Sequence, residues 1–137
     1  MNNMPCFNNI YDSYQKWYIG NDVRSILLDD EDIVRMVGNH IYPIVAPENT
    51  DGDFLVYSRT KYGKSSVKQG VYEDECSLAI VAVSDNYDRS IDLASAIDNA
   101  LTGRHNIGEV SIELLLQDSS EEYADNKYIQ TLLFQVK

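Results

Sequence analysis

At 137 residues, 44% hydrophobic and 24% charged, the chain fits one domain with one core, and its composition excludes a disordered or fibrous protein. No apolar run approaches the roughly 18 residues of a membrane-spanning helix, and Met1-Asn2-Asn3-Met4 lacks the basic-then-apolar order of a secretion signal, so a soluble protein made inside the cell is expected. The formal net charge of −11 argues against a general nucleic-acid binder, which gains affinity by neutralising phosphates with Lys and Arg.

The first residues, to about Tyr11, are asparagine-rich and read as a loose arm. Ile10, Tyr14, Trp17 and Tyr18, then Val23, Ile26 and Leu27, recur at spacings of three and four, which predicts helix interrupted at Gly20-Asn21-Asp22. Asp30 is placed to cap a short helix with Ile33, Val34 and Val37 on its apolar side, and Gly38-Asn39 to stop it. Ile41 to Val45 has strand character, but Pro43 cannot donate to a ladder, so an edge or bulged strand is expected. Phe54-Leu55-Val56-Tyr57 is the next strand.

A basic loop follows: Arg59, Lys61, Lys64 and Lys68 fall within ten positions that hold no acid. Residues 71–83 then read as a long strand, apolar on both faces and therefore central or covered on both sides, with Cys76 turned to the core. Ser84-Asp85-Asn86 caps a helix over residues 87–101 with Ile91, Leu93, Ala94, Ile97 and Leu101 as its buried stripe. Thr102-Gly103 ends it, and His105 falls in a glycine-bounded turn. Val110, Ile112, Leu114 and Leu116 mark one closing strand and Leu132, Phe134 and Val136 another, joined by a polar, acidic connection over residues 117–126. The whole predicts an α+β domain: a single antiparallel or mixed sheet of about four to five strands against a long helix, with one or two additional N-terminal helices.

The patterns that would carry catalysis or metal binding do not assemble. Gly63-Lys64-Ser65 follows a strand like the end of a phosphate-binding loop, but position 58 is Ser58 where that motif needs glycine. His40 and His105 are the only histidines, and neither stands at ligand spacing from another donor. Cys6 and Cys76 have no CxxC spacing and read as free thiols. The run Asp29-Asp30-Glu31-Asp32 lacks the alternation and glycine of a calcium loop, and helix capping explains it better. No catalytic residue, cofactor or metal is therefore assigned.

What remains is an uneven charge pattern. Acids cluster at 29–32, at Glu73-Asp74-Glu75 and at Glu121-Glu122, opposed to the basic segment. Copies of one chain could dock head to tail on such patches, with Arg59, Lys61, Tyr62, Lys64 and Lys68 meeting Glu73, Asp74, Glu121 and Glu122 of a neighbour; a solvated hairpin tip explains the basic segment equally well. Ten tyrosines, several at strand ends, fit either an interface or a core edge.

Leu27-Leu28, the stretch from Ile33 to Val37, Ile41-Tyr42-Pro43 with Ala46-Pro47, Phe54-Leu55-Val56-Tyr57, and Tyr87-Asp88-Arg89-Ser90-Ile91-Asp92-Leu93-Ala94 with Ala100-Leu101-Thr102-Gly103 together resemble the small tail-completion, or tail-terminator, proteins of long-tailed phages and prophages. The resemblance covers roughly residues 21–137 as a single domain, leaving residues 1–20 as an arm or extra helix without counterpart. Family members usually have proline before the strand where this chain has Asp53. The resemblance implies a non-enzymatic virion protein of the tail or neck, assembled in the bacterial host cytoplasm as a ring, with a hexamer as the expected size. It implies the tail tube protein and a head-completion or connector protein as partners, and duplex DNA passing through the lumen without specific binding. A different reading of the charge is an acidic DNA mimic that inhibits a host nuclease or another DNA-binding protein, against which the basic segment counts.

Overall fold

The computed structural model of the protein describes residues 13–66 and 72–137. Two short helices open it, α1 (Ser13–Trp17) and α2 (Ile19–Leu28). The division falls at Tyr18 rather than at Gly20, which lies in the first turn of α2. Glycine is needed there for contact, not for a break: a Cβ at Gly20 would sit 2.9 Å from Cε2 of Tyr57. The helix thereby lies against the Tyr57 ring while Ile19, Val23 and Leu27 enter the core.

Helix α3 (Glu31–Val37) forms as its sequence predicts. Asp30 accepts a hydrogen bond from the Ile33 amide at 3.0 Å, Glu31 and Asp32 occupy the positive end, and Gly38 closes the helix at φ 62°. Strand β1 (Ile41–Pro43) is an edge strand, as Pro43 requires, and runs parallel to β2 (Phe54–Ser66). His40, just before it, is exposed and stacks on Tyr42 with ring centroids 6.2 Å apart.

The remaining elements are β3 (Tyr72–Ser84), α4 (Tyr87–Leu101), β4 (Gly103–Ile107), β5 (Val110–Ala124) and β6 (Lys127–Val136). The six strands form one mixed sheet in the order β1-β2-β3-β6-β5-β4, antiparallel except for β1 with β2. The sixth strand, beyond the four to five expected, is β4: the segment that reads as a turn pairs with β5 from Gly103↔Leu114 to Ile107↔Val110. His105 in this strand is half-buried, with Nε2 2.7 Å from the Leu101 carbonyl oxygen.

Two expected loops are strands. The segment 58–66 continues β2, paired with β3 as far as Ser66↔Tyr72, with a bulge at Thr60. The acidic connection continues β5 through a bulge at Gln117 and closes on Asp125 and Asn126, at φ 54° and 64°. Two consecutive positive φ values make the tight turn whose twist suits a hairpin, and Asp and Asn reach that region more cheaply than other side-chain-bearing residues.

All the helices lie on one side of the sheet. The core joins Ile19, Val23, Leu27, Ile33, Val37, Leu93, Ile97 and Leu101 to Leu55, Cys76, Leu78, Ile80, Ile112, Leu114, Leu132 and Phe134 of the strands. On α4 the buried stripe is Ser90, Leu93, Ile97 and Leu101, whereas Ile91, expected inside, is 41% exposed. Ser90 can be buried because its hydroxyl donates to the Tyr87 carbonyl at 2.7 Å and accepts from Gln130 at 3.1 Å. The N-cap of α4 is Asn86, whose Oδ1 accepts from the Arg89 amide at 2.9 Å. Arg89 then reaches back to Asp53 in a two-pronged ion pair of 2.8 and 3.1 Å, anchoring the start of β2 on the helix. Asp53 is only 6% exposed, so this pairing offsets the cost of burying its charge.

Candidate assembly surface

The β2–β3 hairpin gathers most of the sequence's interface candidates. Arg59 lies over the Trp17 ring, 4.3 Å from its centroid, and donates to the Trp17 carbonyl at 3.1 Å. Tyr62 meets the same indole edge-on at 5.5 Å. Lys61 pairs with Glu75 at 2.7 Å, and Asp74 accepts both Lys64 at 3.2 Å and Lys16 of α1 at 3.5 Å. The opposed charges seen in the sequence are therefore neighbours across one hairpin, where facing strands supply each other's counterions. Glu73 pairs with Ser65 in the backbone ladder, and Lys68 lies outside the described residues.

Burial alone would raise the Asp74 pKa, but the Lys64 hydrogen bond and the Lys16 and Lys64 charges outweigh it and hold the carboxyl below its ordinary value. Burial pushes the Cys76 thiol up, as befits a core side chain rather than a nucleophile.

The other acids lie across the sheet on the β5–β6 hairpin. Glu121 accepts from Gln130 at 3.0 Å and from the Tyr87 hydroxyl at 2.9 Å, contacts that keep it ionised to lower pH than a free glutamate. The same bond pushes the Tyr87 phenol up. Glu122 is exposed, and Tyr123, Tyr128 and Tyr87 form a ring cluster with centroid separations of 4.8 and 5.5 Å. The structure thus brings Arg59, Lys61, Tyr62, Lys64 and Asp74 together but sets Glu121 and Glu122 on a separate flank.

Sequence reasoning missed the apolar surface beside β1. Ile44 is 78% and Val45 73% exposed, next to the exposed Trp17 and Tyr18. A cavity of about 250 Å³ opens among Trp17, Pro43, Ile44, Tyr57 and Arg59. The available signal was an Ile-Val pair directly after the proline that ends an edge strand, since such a pair has no sheet left to enter. A second apolar patch, Leu115 and Leu116, is exposed on β5 at its bulge.

A larger cavity, about 590 Å³, lies between α3 and α4, where Asp53 is held by Arg89 and Asp32 by Arg35. Among the described residues no group of His, Cys, Asp and Glu is arranged to hold a metal ion, and no helix is long and apolar enough to cross a membrane.

No protein-family model and no curated protein matches the chain. Among solved structures, the chain is similar to a chain of the virion of native gene transfer agent (GTA) particle, with a TM-score of 0.63 over 83% of this chain and 89% of that chain. At 16% sequence identity, that likeness establishes a shared fold.

Proposed function

We propose that the protein is a non-enzymatic structural component of a phage or prophage virion that caps or completes the tail tube and helps join tail to head. The observation that carries this reading is the fold shared, over most of both chains, with a component of a gene transfer agent virion. The sequence resemblance to tail-completion proteins points the same way. In this reading the working form is a ring of about six copies, its geometry following from a head-to-tail interface whose rotation closes. One face meets the tail tube protein and the other a head-completion or connector protein. Duplex DNA passes through the lumen, where the net charge of −11 disfavours adhesion of phosphates. The protein then resides at the virion tail or neck, after assembly in the host cytoplasm.

Deleting the gene from the genome that encodes it tests the proposal. Electron microscopy of the lysate is expected to show filled heads and separate tails of irregular length, restored to joined particles by the gene in trans. Intact, functional particles from the deletion strain would overturn the proposal.

A further inference from the structure

We infer that neighbouring copies join edge to edge, the outer edge of β2 in one copy pairing with the outer edge of β5 in the next. The inference rests on the ring reading and names the contact that builds the ring. Strand β1 covers β2 only from Leu55 to Tyr57, and β4 covers β5 only from Val110 to Leu114. Among the described residues this leaves the outer backbone edge open over 58–66 of β2 and over 115–124 of β5. Exposed edges this long are usually shortened, bulged away or covered, because unpaired N–H and C=O groups template pairing with another chain.

The two edges suit each other in direction, charge and shape. Successive antiparallel pairings from β2 through β3 and β6 to β5 make β2 and β5 run in opposite senses within one sheet. Two copies placed side by side with their helices on the same side therefore bring β5 against β2 as an antiparallel pair. The open stretch of β2 holds Arg59, Lys61 and Lys64 and no acid, whereas that of β5 holds Asp118, Glu121 and Glu122 and no base. Each edge repels a copy of itself and attracts the other, which makes the contact heterologous and able to close a ring.

The cavity where β1 stops, lined by Trp17, Pro43, Ile44 and Tyr57, lies against the start of the open β2 edge. Antiparallel pairing sets the end of the open β5 edge opposite that start, where Tyr123 stands 58% exposed and provides a side chain of a size to enter the cavity. Lys61 and Lys64 keep their partners Glu75 and Asp74 within the hairpin, so the neighbour's carboxylates complete a charge network rather than capture free cations.

Two measurements on the full chain test the contact. Amide hydrogen exchange is compared between dilute and concentrated wild-type protein; backbone amides over 58–64 and 115–124 are expected to slow together by about tenfold or more, with the rest of the sheet little changed. Protection already complete in the dilute monomer, or none at the highest soluble concentration, would overturn the inference. In parallel, one variant reverses the acidic edge (D118K/E122K) and another the basic edge (K61E/K64E), each checked for a cooperative thermal transition. Each alone is expected to remain monomeric in light scattering, while an equimolar mixture assembles, because every junction then joins opposite charges. Wild-type-like assembly by either variant alone would overturn the edge contact and leave the virion reading standing. That reading fails separately, if the deletion strain yields intact particles.

Discussion

At the scale of single residues, the fold depends on two positions whose backbone and side-chain demands conflict. Gly20 sits in a helix, where alanine would ordinarily gain about 1 kcal/mol, yet the added Cβ would press on a Tyr57 ring that is only 6% exposed. Overpacking of this kind costs about 1–3 kcal/mol, so Gly20→Ala is expected to lower the thermal midpoint by several degrees. Combined with Tyr57→Leu, which removes the obstructing ring atoms, the same substitution should no longer destabilise; a double-mutant cycle by calorimetry reads the coupling. Ile44 is the opposite case. A β-branched residue at φ 66° is strained, and at 78% exposure its side chain recovers little from packing within the monomer. Ile44→Gly is therefore expected to stabilise the isolated chain by about 1 kcal/mol in denaturant titration. Loss of stability on that change would show that Ile44 packs to more advantage than its exposure indicates.

At the scale of elements, legibility followed burial. The caps of α3 and α4, the edge place of β1 and the central place of β3 could be read because Asp30, Gly38, Asn86 and Pro43 act locally and the strand's apolar residues mark both faces. The outer halves of β2 and β5 could not. Arg59, Lys61 and Lys64, like Asp118, Glu121 and Glu122, lie where hairpins extend past the core, and an exposed strand has no apolar alternation to show. Strand β4 was hidden by its own sequence, since Gly103-Arg104-His105-Asn106 has turn chemistry and becomes a strand only by pairing with β5. Of the interface candidates, the charges were legible but their partners were not: Lys61 and Lys64 meet acids of the same hairpin because β3 runs antiparallel beside β2.

That pairing gives the hairpin an acid limit. Asp74 is held below its ordinary value of 3.8, so the stability it contributes is fully present above that value and is lost as pH falls through its lower folded value. Thermal melts between about pH 5 and pH 2 should show the wild-type advantage over Asp74→Asn disappearing with acid. An advantage that persists at the acid end would mean that the Lys64 and Lys16 contacts do not hold the carboxylate.

At the scale of the whole molecule, the sheet has two different ends, and the helices leave both accessible. A chain with a net charge of −11 should repel its own copies, so any assembly must rely on a local contact where the sign reverses. The basic stretch of β2 is such a place, and it lies beside Ile44 and Val45, the most exposed large apolar side chains among the described residues. The central claim is that these surfaces serve a structural part of a virion. Labelling the protein with gold in purified particles and counting it by quantitative mass spectrometry tests that claim most directly. The account predicts a small fixed copy number, one ring's worth, confined to one end of the tail. Particles that contain none of the chain, or that carry it scattered along the tube, would contradict it.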